Sequence, residues 1–424
     1  MRILITNIVA LNVGDAAILQ GEIKILKKTF GEDVEIIVFD SSPEAAKKYY
    51  PEISFRRWIY SSATATVRKR VLKNIIRSLN KTRFSIGEYG FFKGFNIISR
   101  TFLSEEERIS LDLYKNSDLV VSTGGTYLVE NYSLEPRVFD YNLCMKYKIP
   151  LMFFTQSLGP FHNPQNKINM NKIIPYSLLV LLRDHKSKQN LKGIGIKDSN
   201  LFVTADAAFA LADKELVQKE QKNTKHIKKP KIAISVREWK HFKSISPDLG
   251  IQNYKKSIKE ACVHLIEKYE GEITFISTCQ GVKEYWTDDS KFADEIKNII
   301  PEKYWNSVTI DTQFRSPEKL ASTLKMFDFV ISTRLHMAIL SLGVGTPVLP
   351  IAYEFKTKEL FTNIGQQNFV HDIEDIIPNE FVKNLDDFIL ALPEIRGKVF
   401  KEVEKEIERA IDTSQIIRRK YKIE

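Results

Sequence analysis

Short apolar runs rich in β-branched residues alternate with amphipathic stretches along both halves of the 424-residue chain. Alternation of this kind is typical of parallel sheets that carry helices on both faces, because each parallel connection needs a crossover. Two such series in one chain predict two separate sheets. We therefore expect an α/β fold with two Rossmann-like domains, whose parallel sheets face a cleft.

The strands follow from the apolar runs and the helices from the spacing of apolar residues between them. In the first half we predict strands at Arg2–Thr6, Glu35–Phe39, Asp118–Ser122, Pro150–Thr155, Leu178–Leu182 and Leu201–Val203. In the second half we predict them at Lys231–Val236, Glu272–Ser277, Val308–Asp311, Phe329–Ser332, Pro347–Ile351 and Phe369–His371. Helices are predicted at 16–30, 253–269, 290–300, 317–326 and 335–342.

A change in composition marks the boundary between the two predicted domains. Residues 213–230 are polar and charged without an apolar period, which predicts a linker, and a fresh strand follows Pro230. The N-terminal domain then covers 1–212 and the C-terminal domain 231–392. Residues 393–424 have apolar residues at helical spacing and predict a C-terminal helix, which could pack back on the first domain.

The composition favours a soluble cytoplasmic protein. Its three cysteines are odd in number and widely spaced, which indicates reduced thiols. The N-terminal sequence lacks a small-residue cleavage site, and the longest uncharged run, 338–353, is short and broken by glycine and proline.

The net charge of +10 is concentrated in one segment, an insertion at 56–100. It contains eleven of the 63 Lys and Arg residues but one of the 53 Asp and Glu residues, so the rest of the chain is balanced. Within it, residues 67–83 place Val71, Ile75, Ile76 and Leu79 on one helical face. Such a helix could lie on an anionic membrane at the inner membrane face, or pack on the first domain in contact with water. No recognisable motif favours nucleic acid.

In open α/β sheets ligands bind beyond the carboxyl ends of the strands, so the residues that follow each strand are candidates. In the first domain Gly14 permits a tight turn and Asp15 could cap the next helix. Gly124 and Gly125 would let backbone amides approach an anion or a sugar. A helix start and a tight turn explain the same residues without a ligand.

Two further strand ends in the first domain carry polar side chains. Gln156 follows one predicted strand and Arg183 the next. Arg183 could clamp a ligand, or it could pair with Asp206 for structural reasons.

The second domain brings cations to one sheet edge. Arg237 ends its first strand, Arg334 ends another just before His336, and Lys356 follows the next. Arginine is rarely placed at a strand end for packing, since its guanidinium must be paired or hydrated. Three cations with one proton-transfer group are what a ligand with both a carboxylate and a phosphate needs.

In order along the chain, these motifs resemble the polysaccharide pyruvyl transferases. The matching motifs, from Asn7 to about Gly365, are Asn12-Val13-Gly14-Asp15, Gly124-Gly125, Gln156-Ser157-Leu158-Gly159-Pro160, Arg183-Asp184 with Ser187, Asp206-Ala207, Arg334-Leu335-His336, Gly345-Thr346-Pro347 and Tyr353 with Lys356. Thr126, in place of a third glycine, and the basic insertion depart from the family pattern.

The resemblance implies a fold similar to glycosyltransferases of the B type, phosphoenolpyruvate as donor and transfer of pyruvate to a sugar as a ketal, in exopolysaccharide biosynthesis. It implies that Arg334, His336 and Lys356 act on the donor, with Arg237 and Arg183 as further matches. The first domain, around Asp15, Gly124, Gly125 and Gln156, would hold a sugar or a lipid-linked saccharide.

No metal or cofactor is expected, and Asp288-Asp289 is interpreted as an exposed turn or a helix cap. Two alternatives stay open: a nucleotide-sugar-dependent glycosyltransferase of the B type, in which Glu354 could contact a ribose, and a non-catalytic partner in envelope-polysaccharide assembly.

Overall fold

The computed structural model describes residues 1–64 and 70–423 of the chain. They form two compact units, each with its own parallel sheet. The first unit comprises 1–10, 22–204 and 414–424, and the second comprises 11–21 and 205–413.

The first unit is built on an eight-stranded sheet in which all pairs are parallel. Its strands are β1 (Arg2–Ile8), β2 (Glu35–Asp40), β3 (Phe55–Arg57), β4 (Leu119–Ser122), β5 (Gly125–Leu128), β6 (Leu151–Leu158), β7 (Leu179–Leu182) and β8 (Leu201–Val203). The order is β3-β2-β1-β4-β6-β7-β8, with β5 paired to β6. The central strands are buried along their whole length, as expected for a sheet covered on both faces.

Helices follow most strands of the first unit. They are α1 (Val13–Phe30), α2 (Pro43–Tyr49), α3 (Ile59–Ala63), α4 (Arg70–Lys93), α5 (Asn96–Phe102), α6 (Glu105–Lys115), α7 (Glu135–Tyr147), α8 (Pro164–Tyr176) and α9 (His185–Gly193). The start of α1, up to Gly21, is grouped with the second unit. A side chain on Gly21 would strike the Ala207 carbonyl, so glycine permits the close packing that joins these two segments.

The second unit contains a six-stranded parallel sheet in the order β11-β10-β9-β12-β13-β14. Its elements are α10 (Lys214–Glu220), β9 (Lys231–Ser235), α11 (Pro247–Tyr269), β10 (Glu272–Phe275), α12 (Asp289–Lys297), β11 (Val308–Ile310), α13 (Pro317–Leu324), β12 (Phe329–Ser332), α14 (Leu335–Leu342), β13 (Val348–Ala352), α15 (Phe355–Asn363), β14 (His371–Asp372) and α16 (Pro378–Tyr421). The strand order is that of a Rossmann fold.

Two features differ from the predicted organisation, and a third agrees with it. The stretch 213–230 is not all linker, because Asp213 caps α10 by accepting from the Leu216 amide at 3.1 Å. The last helix begins at Pro378 rather than near 393, and Pro393 lies within it. Its end, from Ser414, groups with the first unit, where the Tyr421 ring lies 5.2 Å from that of Phe30.

The basic segment is mostly helical where it is described. The start of the helix predicted at 67–83, Val67-Arg68-Lys69, lies outside the described residues, and α4 carries the rest of that helix. Phe84 is fully buried, so α4 packs on the first unit, while Ile75 and Leu79 are 58% and 64% exposed. Within 1–64 and 70–423, no helix has the length and apolar character needed to cross a bilayer.

Candidate anion-binding and catalytic site

Two neighbouring strands of the second sheet, β9 and β12, place the predicted arginines at the same edge. Ser235 and Ser332 are register partners near the ends of these strands, and Arg237 and Arg334 each come two residues later. The chain continues from β9 towards β10 on one side and from β12 towards β13 on the other. This is the switch point of a doubly wound sheet, where ligands of such folds bind.

Arg334 is buried and forms an ion pair with Asp289, a residue that the sequence analysis did not assign to this site. Its Nε lies 2.9 Å from Asp289 Oδ2 and its Nη2 2.6 Å from Oδ1. Burial alone would lower the pKa of Arg334, but Asp289 raises it well above its usual value, so the guanidinium stays charged. The interpretation of Asp289 as an exposed turn or cap is wrong, because its residue surface is 3% exposed; Asp288 caps α12 instead.

His336 stands in the first turn of α14, and its Nε2 atom is buried. Its Nε2 lies 3.5 Å from Asp206 Oδ2, and among the described residues it has no hydrogen-bond partner. A Cβ on Gly14 would lie 2.8 Å from His336 Nδ1. Gly14 thus serves close packing against the imidazole. Arg183 belongs to the first unit and Asp206 to the second, and their suggested pairing stays a prediction.

Arg237 lies beside two aromatic rings that pack on each other, with their centres 4.8 Å apart. Its guanidinium carbon is 4.4 Å from the centre of the Tyr353 ring and 5.3 Å from that of Trp239. Lys356 Nζ lies 5.7 Å from the same Tyr353 ring and 2.8 Å from Glu354 Oε2. In the described part of the chain no acidic side chain forms an ion pair with Arg237. Arg334 and Lys356 are already compensated, so Arg237 is the cation best able to meet an added anion.

Asp15 is grouped by its contacts with the second unit rather than with the predicted acceptor domain. The cap of α1 is Asn12, whose Oδ1 accepts from the Gly14 amide at 2.9 Å, while Asp15 stands in the first turn. Burial is the main cause that raises the pKa of the Cys279 thiol to about 12, and the Asp15 charge adds to the rise. Asp15 therefore contributes negative charge to the second unit.

In the first unit the pair Gly124-Gly125 lies over a buried acid that the sequence did not single out. Glu22 accepts a 2.8 Å hydrogen bond from the Thr123 hydroxyl and one from the Gly124 amide. Burial raises the pKa of Glu22 to about 8, so its carboxyl is mostly protonated at neutral pH. The Gly124 amide is thus engaged within the protein, and Gly125, with φ of +130°, begins β5.

The other two predicted binding residues of the first unit belong to a buried polar network. Gln156 lies within β6, not after it; its Nε2 donates to the Tyr127 hydroxyl at 2.7 Å. Arg183 Nε donates to Ser157 Oγ at 2.8 Å, and its Nη2 contacts the Thr126 hydroxyl. Their predicted contacts with substrate stay predictions.

The structure also bears on metals. Among residues 1–64 and 70–423, no group of three or more His, Cys, Asp or Glu side chains is arranged to hold a metal ion.

Comparisons with known structures agree with the fold. The fold is similar to that of a UDP-GlcNAc 2-epimerase from Neisseria meningitidis, with a TM-score of 0.58 at 12% identity and 100% of both chains covered. The Anabaena protein Alr3699/HepE, solved with UDP and glucose, gives a TM-score of 0.54 at 12% identity, with 100% of this chain and 99% of that chain covered. These likenesses and the two sheets confirm the predicted fold class, a two-domain α/β protein of the glycosyltransferase-B type.

Sequence comparison is more specific. The family model described as "Polysaccharide pyruvyl transferase" matches residues 12–354, which include Arg334, His336 and Gly14. A curated relative, the amylovoran biosynthesis protein AmsJ of Erwinia amylovora, is 27% identical over 420 residues, 95% of each chain. The chain belongs to the polysaccharide pyruvyl transferase family and is a transferase, as the ordered motifs predicted.

Proposed function

We propose that this transferase moves pyruvate from phosphoenolpyruvate to a saccharide as a ketal, in exopolysaccharide biosynthesis. The observation that carries the proposal is Arg237, a cation without an acidic partner among the described residues, at the strand end beside Arg334. Phosphoenolpyruvate carries a carboxylate and a phosphate, which are the groups that arginine binds best. AmsJ is named for the biosynthesis of amylovoran, in keeping with a polysaccharide acceptor here.

In the proposed reaction two hydroxyls of the sugar replace the enol phosphate. The first adds its oxygen to the central carbon of phosphoenolpyruvate and loses its proton to a base, while the methylene carbon gains a proton from the general acid and becomes a methyl group. The second hydroxyl attacks the same carbon, and the bond between that carbon and the phosphate oxygen breaks. The proton of the second hydroxyl is taken up by a base or by the departing phosphate. His336 Nε2 is the proposed general acid, and it could return as base.

The cations then have distinct proposed roles. Arg237 and Arg334 bind the carboxylate and the phosphate. Asp289 holds Nε and Nη2 of Arg334 and so fixes the plane of the guanidinium, which sets the direction of the remaining nitrogen, Nη1. Lys356 stabilises the departing phosphate. Gly124, Gly125, Gln156 and Arg183 remain proposed contacts for the acceptor, and Asp15 a proposed substrate contact in the second unit.

A thermal-shift comparison tests the donor. We expect phosphoenolpyruvate, but not UDP-sugars, to raise the melting temperature of the protein, and Arg237→Ala and Arg334→Gln to abolish the rise. Arg396→Ala is the matched control, because Arg396 is buried but contacts the Asp328 carbonyl at the opposite end of β12. Stabilisation by UDP-sugars alone would instead favour a nucleotide-sugar-dependent enzyme.

Turnover tests the histidine. His336→Ala should lower the rate of phosphate release by roughly 100-fold or more, since general acid catalysis contributes about that much. Near-normal turnover in a folded His336→Ala protein would contradict the role. Unchanged polysaccharide in cells that carry the variant would point to a non-catalytic partner.

A peripheral contact with an anionic bilayer completes the proposal. Ile75 and Leu79 are one helical turn apart on α4 and largely exposed, which suits insertion between lipids. Arg77 and Lys81 on the same helix contact Glu135, so their charge is partly compensated. Leu79→Ser should weaken sedimentation with vesicles rich in phosphatidylserine at low salt, whereas Leu390→Ser, at a site 68% exposed on α16, should not. Equal sedimentation of both variants and the parent would exclude this contact.

A further inference from the structure

A polar groove in the first unit lies beyond the carboxyl ends of two paired strands. Glu130 follows the end of β5 by two residues, and Asn163 follows the end of β6 by five. The cavity has a volume of about 690 Å³, within the range of ordinary ligand sites. None of the residues in the family motifs lines it.

The lining consists mostly of amides, carboxylates and one aromatic ring. Its polar residues are Glu130, Asn131, Tyr132, Ser133, Glu135, Asn163, Gln165, Asn166 and Asn169, above Leu134 and Val138. No lysine or arginine belongs to the lining that the structure describes. Amides and carboxylates together donate to and accept from hydroxyls, and such a lining disfavours a phosphate or an acidic group.

The groove is held in shape before any ligand arrives. Glu130 accepts from the backbone amides of His162 and Asn163 at 2.9 and 2.8 Å, and from Asn166 Nδ2 at 2.9 Å. Burial tends to raise the pKa of Glu130, but the hydrogen bonds from Asn166 and from these amides lower it overall, so the carboxylate stays ionised. Gln165 Nε2 donates to Asn169 Oδ1 at 3.1 Å, which orients two further amides.

Tyr132 adds an apolar surface at the groove. Its side chain is 49% exposed, and the ring of an exposed tyrosine offers an apolar face with a polar hydroxyl. The C–H groups of a pyranose ring pack on such faces while its hydroxyls bond to amides and carboxylates. We infer that this groove binds a neutral, hydroxyl-rich stretch of the saccharide acceptor. That the bound saccharide is the acceptor of the reaction rests on the proposed function.

The test measures binding of the full-length protein, without phosphoenolpyruvate, to an array of neutral hexose oligosaccharides and matched uronic-acid oligosaccharides. We expect binding to neutral members, reduced at least tenfold in Tyr132→Ala and in Gln165→Ala. Tyr89→Ala is the matched control, because Tyr89 is also 49% exposed but lies on α4 outside this groove. All three positions are on the surface, and the melting temperatures of the three variant proteins verify that each is folded.

Absence of binding across the array, a preference for the uronic-acid members, or binding that survives both groove substitutions would overturn the inference. The result is independent of the donor assignment. Glycan binding without stabilisation by phosphoenolpyruvate would retain the groove and reject the proposed donor, and the opposite pair of results would reject the groove alone.

Discussion

At the residue scale, the size of Gly14 sets the position of the proposed acid. An added Cβ would lie 2.8 Å from Nδ1 of His336, closer than Cβ atoms approach other atoms in proteins, and 3.0 Å from its Cβ and Cγ. The imidazole or the start of α1 would have to shift. Because the position of a proton donor controls its efficiency, the close packing of Gly14 and His336 is part of the proposed catalytic geometry.

Gly14→Ala should therefore lower kcat for phosphate release by roughly 100-fold, the scale of a 1 Å misplacement, with a smaller loss of stability. Steady-state kinetics and urea unfolding measure the two effects. Gly193→Ala is the control, since its added Cβ meets no heavy atom within 4 Å. An unchanged kcat in Gly14→Ala would show that the ring can move without consequence.

Glu22 makes stability depend on pH. The pKa of its carboxyl is about 8 in the folded protein against a usual 4.5, so between these values the folded state binds one more proton than the unfolded state. Stability then falls as pH rises through this window, by about 1.4 kcal/mol per unit at most, and levels off above pH 8.

Glu22→Gln should remove this part of the pH dependence. Between pH 6 and pH 8 we expect the free energy of unfolding of the parent to fall by roughly 2 kcal/mol more than that of the variant. Urea titrations at the two values measure the difference. Parallel loss in both proteins would mean that Glu22 titrates normally.

Single residues show where sequence reasoning succeeded and where it could not. The strand-end rule predicted that Arg237 and Arg334 lie at one edge of the second sheet, and the structure confirms that placement, while their roles stay predictions. It missed Asp289, because an aspartate at a helix start has an ordinary explanation as a cap. Its partner Arg334 lies 45 residues away, and only the fold brings the two together.

At the scale of elements, the predicted strands recur in the structure with ends shifted by a few residues, because long apolar runs leave little choice. β5 was missed, since its glycine start is typical of a turn. The apolar run predicts that β6 ends at Thr155, whereas the strand continues through Gln156 to Leu158 despite a φ of +39° at Thr155. Tertiary pairing with β5 supports that polar extension, and local sequence does not encode it.

The start of α12 offers a prediction about two adjacent aspartates. Asp288 Oδ1 accepts from the Ser290 amide as a cap, so Asp288→Ala should reduce the free energy of unfolding by about 1 kcal/mol. Asp289→Ala should reduce it by about 3–5 kcal/mol, because it leaves the buried Arg334 charge without its partner. Urea denaturation of both variants provides the comparison, and equal losses would contradict the buried ion pair.

At the scale of the whole molecule, neither compact unit is continuous in sequence. Residues 11–21 belong to the second unit and Ser414–Glu424 to the first. The sequence showed two series of strands and a polar stretch between them, so it predicted one boundary. The boundaries at 21/22 and 413/414 fall inside single helices, α1 and α16, whose apolar spacing does not reveal which core each turn joins.

Hydrogen exchange can test this grouping. Phe84→Ala, which opens the core of the first unit, should speed exchange at 414–421 but not at 378–413. Phe388→Ala, an equally buried change in the second unit, should do the reverse and also speed exchange at 13–21. A uniform response along α16 in either variant would show that the helix follows one core only.

The place of the last turns of α16 has a consequence for synthesis. During translation, every residue of the second unit leaves the ribosome before Ser414–Tyr421, which pack on the first unit through Tyr421 and Phe30. Chains are synthesised at roughly 5–20 residues per second, so this surface of the nascent first unit stays uncovered for on the order of ten seconds or longer. A stop codon before Ser414 would therefore leave this surface of the first unit uncovered, although most of that unit is translated earlier, and would make the truncated chain a client for chaperones.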